Sequence, residues 1–247
     1  MLKRLLLIAA ILVPCGAALA QEADFPLQHV HTNINDVQSL QRGARDFMNY
    51  CSGCHSLSYL RYERMAKDLQ IPLPLLKKNL MLTSKKPLDH ILSAMPPNDA
   101  VKWFGVAPPD LTLMARYMGK DYVYSFLKGF YADKTRLWGV NNLYKPNVAM
   151  PFVLATLQGV QKPVYKSVTD ASGHTSMQLV GVAPGAGGSM TPAQYDEFVT
   201  DITNFLNYTA EPIKAERRSL GVYVMLFLAL FFVLTYLLKK EYWKDVH

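Results

Sequence analysis

The chain has 247 residues, half of them hydrophobic and only 18% charged, which excludes a disordered or acidic-tail protein. Its net charge of +7 comes from Lys and Arg interspersed with Asp and Glu, too mild and too mixed for a nucleic-acid binder. The apolar residues gather at both ends, so those segments come off before any domain is counted.

At the N-terminus, Lys3 and Arg4 precede a short apolar run from Leu5 to Val13. Ala18-Leu19-Ala20 then offers a small-x-small cleavage site. This is the layout of a secretory signal peptide over residues 1–20, with Gln21 as the first mature residue. The run is short for an uncleaved anchor. Pro14 before Cys15 speaks against a lipoprotein.

Of the three cysteines, Cys15 leaves with the leader, and Cys51 and Cys54 remain in CSGCH. The preceding segment, Arg42 to Tyr50, reads as a short helix with Gly43 and Phe47 one turn apart on one face. A glycine there lets a second helix come close. C-x-x-C-H is the attachment site of a c-type haem. The two thiols add to the two vinyl groups of the porphyrin, and His55 is held beneath the iron as the proximal ligand. A thioredoxin-like pair would follow a strand, and no strand pattern precedes Cys51. A zinc site would need a second pair of ligands, and no other Cys exists in the mature chain.

From about Leu60 to Lys102, five prolines and two Lys pairs predict short helices and loops around the haem. The iron needs a sixth ligand, and a Met/His pair raises the reduction potential. Met95 in SAMPPND and Met150 in NVAMPFV both sit in Ala-Met-Pro loops that proline stiffens. Spacing leaves both open, with His29, His31, His90 and His174 as further candidates.

Val164 to Val182 alternates around Asp170-Ala171-Ser172-Gly173, which predicts a small β-hairpin. The Gly-rich stretch PGAGGS lacks the Lys and helix of a phosphate cradle. Thr191 as N-cap, Pro192 at the first helical position and Gln194 closing a capping box predict a helix from Thr191 to about Thr209. Tyr195, Phe198, Val199, Ile202, Phe205 and Leu206 form its apolar stripe. Its obvious partner is the helix before CSGCH, as in the crossed terminal helices of a cytochrome c fold.

Leu220 to Leu238 carries no charge and spans about 28 Å as a helix, the thickness of a bilayer core. Arg217 and Arg218 stand before it, and Lys239, Lys240 and Lys244 after it. Tyr236, Tyr242 and Trp243 suit the interfacial belt. The flanking basic residues balance, so orientation follows from the export signal. Residues 21–218 form a periplasmic c-type haem domain, 219–238 a transmembrane helix and 239–247 a short cytoplasmic tail.

The ordered segments resemble the cytochrome c1 family, the haem-bearing subunit of the quinol–cytochrome c oxidoreductase (bc1) complex, in its bacterial type. RGARDFMNYCSGCHSLSYLRY resembles the haem-attachment region. GVAPPDLTLMARYMGKDYVYSFLKGF resembles the Pro-Pro-Asp-Leu segment that lines the haem. NVAMPFVL resembles the loop that supplies the axial Met, and DITNFLNYTAEP with Arg217-Arg218 and the membrane helix resembles the C-terminal anchor. CxxCH alone is shared by many families; the ordered set is far more specific.

The resemblance implies a mainly α fold: a cytochrome c-like haem domain with extra loops and a small β-hairpin, plus one C-terminal transmembrane helix. It selects Met150 over Met95 as the second iron ligand beside His55. It implies that Arg116 pairs with a haem propionate, a role that suits the Arg fork. It also suggests that Pro108 or Pro109 turns a carbonyl toward the other ring nitrogen of His55. One covalently bound haem c would carry single electrons from a Rieske iron–sulfur protein to a soluble or tethered cytochrome c. The membrane helix would pack against cytochrome b in the lipid of the cell inner membrane. The chain itself is then an electron carrier without acid, base or nucleophile, and quinol chemistry belongs to other subunits. A free-standing membrane-anchored monohaem shuttle shares every ligand, but one haem in so long a domain leaves surface that a docking subunit needs. A haem enzyme such as a peroxidase would need an open iron position.

Overall fold

The computed structural model describes residues 25–169 and 175–245. The expected leader (1–20), the turn of the expected hairpin (170–173) and His174 lie outside the described residues.

Helix α1 (Val37–Tyr50) leads into the CSGCH turn. Strand β1 (Leu57–Arg61) runs straight into α2 (Tyr62–Asp68), and α3 (Leu73–Asn79) follows. The short β2 (His90–Ile91) returns antiparallel to β1, with Leu57 opposite Ile91. Next come α4 (Pro97–Phe104), α5 (Met114–Tyr117) and α6 (Lys120–Lys128). Strands β3 (Phe130–Ala132) and β4 (Val140–Asn142) pair antiparallel with Tyr131 opposite Asn141. After α7 (Ala155–Gln158), β5 (Lys162–Thr169) and β6 (Thr175–Ala183) form the expected hairpin. Helices α8 (Pro192–Ala210) and α9 (Lys214–Tyr242) end the chain. The fold is mainly α with small antiparallel sheets, as read from the sequence. The β1–β2 and β3–β4 pairs were not expected; strands of two to five residues carry too little alternation to register.

Helix α1 begins five residues before the expected start at Arg42. Asp36 caps it by accepting the Ser39 N–H at 3.0 Å. The capping box of α8 forms as its sequence dictates, with Thr191 and Gln194 satisfying each other's backbone N–H groups.

The core is built where α1 crosses α8. Leu40, Ala44, Phe47 and Met48 of α1 are buried against Val199, Ile202, Phe205 and Leu206 of α8. Phe47 and Phe205 rings stand 5.7 Å apart, and Tyr50 meets Phe198 edge-on at 5.5 Å. A polar lock closes the crossing. The buried Asp201 carboxylate accepts from Arg42 Nε at 2.5 Å and from Ser39 Oγ at 2.6 Å. Asn204 donates to Ser39 Oγ at 3.0 Å and to the Asn33 carbonyl at 2.9 Å.

Helix α6 packs on the first half of α8, where Tyr195 Oη donates to the Leu127 carbonyl at 2.9 Å. Helix α9 is long and apolar enough to cross a membrane from Glu216 to Tyr242, and none of that window is buried in protein. It starts before the uncharged run because Arg217 and Arg218 are already helical, and Arg217 pairs with Glu211 at 2.6 Å.

Candidate functional site

The site starts at the end of α1. The Cys51 N–H donates to the Phe47 carbonyl at 2.8 Å, and the Cys51 carbonyl then accepts from Cys54 N at 3.1 Å and His55 N at 2.8 Å. CSGCH therefore closes as one tight turn and brings both thiols and the imidazole to one place. Cys51 is buried, Cys54 is half-buried, and both are free thiols. Burial, then the neighbouring Cys54 and Asp46, pushes the Cys51 thiol up to about 12. That is opposite to the activated thiolate of a thioredoxin-like pair.

His55 is placed by the segment beyond it. Its Nδ1 lies 2.8 Å from the Pro109 carbonyl, so of the two prolines considered it is Pro109 that meets the ring. Burial lowers the imidazole's affinity for a proton, against the Pro109 carbonyl and Asp110, which raise it. A neutral ring with its Nδ1–H donated to a carbonyl leaves Nε2 as a lone-pair donor.

The Pro-Pro-Asp segment is itself pinned to β1. Asp110 accepts Ser58 N–H at 2.7 Å and Thr112 N–H at 2.9 Å, and Leu111 N–H reaches the Ser56 carbonyl at 3.0 Å. Burial opposes the Asp110 charge, but the bonds from Thr112 and Ser58 outweigh it and hold the carboxyl below its ordinary range. Sequence reasoning passed over Asp110. Its signal was an Asp with a Thr two residues on, the pattern of an Asx turn.

These groups open onto an apolar cavity of about 370 Å³, within the size range of cofactor sites. Cys51, Cys54, His55, Pro108, Pro109 and Met150 all lie on its wall. Met114, Tyr122, Phe126, Ile202 and Leu206 extend that wall from α5, α6 and α8. Ile202 and Leu206 belong to the apolar stripe read from the sequence; Met114, Tyr122 and Phe126 were not singled out within their segment. The Met150 loop is held by Phe152, whose ring stacks on Phe130 at 4.7 Å.

Met95 is not among the lining residues; its N–H is tied to Ser93 Oγ at 3.1 Å. His29 faces Asp121 at 2.9 Å and His90 sits in β2, both away from the lining. His31 is likewise not among the lining residues. Arg116 also lies off the wall, with its side chain 67% exposed and 3.8 Å from Glu211.

The donor set fits a c-type haem: two unpaired thiols, a neutral imidazole oriented through its second nitrogen, and a thioether, all on one apolar wall. The described residues hold no group of three or more His, Cys, Asp or Glu side chains suited to a bare metal ion.

The Cytochrome C1 family pattern matches residues 77–246, which include Arg116, Met150 and α9. CSGCH lies before that match and is covered by whole-length likenesses. The chain is 49% identical to a protein named cytochrome c1 of Allochromatium vinosum, over 100% of both chains. It is 40% identical to a protein named ammonia monooxygenase gamma subunit of Nitrosomonas europaea, over 100% of this chain and 99% of that one. It is 28% identical to cytochrome c1 of Rhodospirillum rubrum, over 99% and 97% of the two chains. The family match over most of its length and these full-length likenesses show that the chain belongs to the cytochrome c1 family.

Proposed function

We propose that the chain takes single electrons from a Rieske iron–sulfur protein and delivers them to a cytochrome c. Membership of the cytochrome c1 family makes it an electron-transfer haem subunit of the bc1 complex, anchored in a membrane. The observation that carries the finer reading is the shared wall on which Cys51, Cys54, His55 and Met150 meet.

Haem c, when bound, supplies an iron centre that exchanges one electron without bond making. Cys51 and Cys54 would hold it covalently through their sulfurs. His55 would offer Nε2 to the iron, its ring fixed by the Pro109 carbonyl. Met150 would offer a soft, neutral sulfur that favours the reduced state. The apolar side chains of α5, α6 and α8 keep water from the site. Arg116 would leave Glu211 to pair with a propionate.

The periplasmic face of the cell inner membrane holds the domain 21–218, after removal of residues 1–20. The span 219–238 packs against cytochrome b, and 239–247 stays in the cytoplasm. Denaturing the purified complex tests the haem assignment: haem stays on this chain in the wild type and is lost with Cys51→Ala and Cys54→Ala together. Retention in the double variant would sink the c-type assignment. Stopped-flow reduction of the intact complex tests the donor: this haem should follow the Rieske centre, and reduction unaffected by Rieske removal overturns that step.

A further inference from the structure

The segment joining α2 to α4 has no part in the cavity, yet it exposes apolar side chains beside the point where the chain enters the membrane. The C-terminal end of α2 is held at the end of α8. Tyr208 Oη donates to Asp68 at 2.8 Å, and Arg64 Nε donates to the same carboxylate at 2.5 Å. That bond to Asp68 leads the influences that favour the Arg64 charge; burial opposes it, and Glu216, in the first turn of α9, adds to it. The end of α2 therefore sits next to the membrane-entry turn.

Four residues after Leu69 the chain starts α3. Leu76 is fully buried and pins this helix to the domain. Pro72, Leu73, Pro74 and Leu75 are all exposed, with Leu73 at 47% and Leu75 at 51%. Four consecutive exposed apolar residues are not a solvent surface unless something covers them. The two prolines stiffen the corner, so the leucines cannot fold back at low cost. Charge narrows the occupant: from Leu69 to Leu88 the sequence carries Lys77, Lys78, Lys85 and Lys86 and no Asp or Glu.

We propose that the Pro72–Leu75 corner seats the domain on the bilayer, with Leu73 and Leu75 in the headgroup boundary of the leaflet that α9 enters and Lys77 and Lys78 on anionic lipid phosphates. Leucines beside lysines, on a corner that follows the end of α2 held near the α9 entry turn, match the chemistry of an interfacial anchor. The contact would limit how far the haem domain tilts on its single helix.

The test places the photoreactive residue p-benzoylphenylalanine at position 75 of the full chain in its assembled complex in native membranes. The control is position 137, 81% exposed in the β3–β4 turn. That turn follows α6, which is bonded to Tyr195 near the other end of α8, about 20 Å along the helix from Tyr208. Irradiation should give phospholipid adducts at 75 about tenfold above those at 137, and Lys77→Glu with Lys78→Glu should cut them about tenfold. An unchanged haem spectrum shows that the variants fold. A crosslink from 75 to another polypeptide, equal lipid labelling at 137, or no adduct at 75 each overturns the proposal.

Discussion

Gly43 of α1 lies against the backbone of Asp201 in α8: a Cβ built on the glycine would stand 2.1 Å from the Asp201 carbonyl oxygen and 2.7 Å from Phe205 Cβ. The crossing of the two helices is set by this absence of a side chain. Asp201 is also the residue whose carboxylate locks Arg42 and Ser39. One position on α8 thus fixes both how near α1 comes and how it is rotated.

Gly43→Ala must push the helices apart, because the clash is with backbone rather than a movable side-chain tip. We expect a loss of about 1–3 kcal/mol, the usual range for overpacking. Cys51, about one turn beyond Phe47 at the end of α1, would move with it. Thermal unfolding of the holoprotein checks the cost, and a wild-type melting curve would show that the crossing adapts.

Asp110→Asn should loosen the support of His55. The carboxylate serves two N–H groups, of Ser58 and Thr112, while an amide oxygen serves them less well and its NH2 faces donors. The expected cost is about 1–3 kcal/mol. The haem environment should change as well, since Pro109 precedes the mutated residue and its carbonyl meets His55. An unaltered spectrum with lowered stability would limit Asp110 to a structural role.

Acid should release the N-terminal strap from α6. Asp121 accepts the Val30 N–H at 3.0 Å and meets His29 Nδ1 at 2.9 Å. Burial opposes its charge, but Val30, His29 and Lys120 outweigh it and hold the carboxyl below its ordinary 3.8. A carboxyl depressed in the folded state stabilises fully above its unfolded value and loses that contribution as pH falls through the folded value. The stability gap between wild type and Asp121→Asn should be constant well above pH 3.8 and shrink below it. Denaturant titrations across that range measure it; a gap that widens in acid would reverse the sign.

Met150→Leu keeps volume and should cost under about 1.5 kcal/mol in packing, so it reads ligation rather than folding. The variant should still bind haem through Cys51, Cys54 and His55. It should lose the sulfur-to-iron band of the ferric state, bind carbon monoxide when reduced and fall in potential. Met95→Leu should do none of these. The opposite pattern would move the ligand to Met95, and loss in neither would return a histidine to the sixth position.

Several features were legible from neighbouring residues alone. CSGCH, the Thr191–Gln194 box and the Leu220–Leu238 run each consist of side chains whose spacing along one segment carries the meaning. Gly43 was legible as a point of close approach, and α8 as its partner, because a small residue and a long apolar stripe are both visible in the chain. What only the tertiary structure decided is which atoms meet across long separations. Every residue owns a carbonyl, so nothing in Pro108-Pro109 says which one faces His55; the pinning of Asp110 to Ser58 decides that. The Asp36 cap, the β1–β2 pair and the meeting of Arg116 with Glu211 follow the same rule. The exposure of Pro72–Leu75 is likewise a property of the packed chain: nothing in the apolar run from Ile71 to Leu76 says which residues are covered until the fold buries Leu76 and leaves Pro72–Leu75 outside.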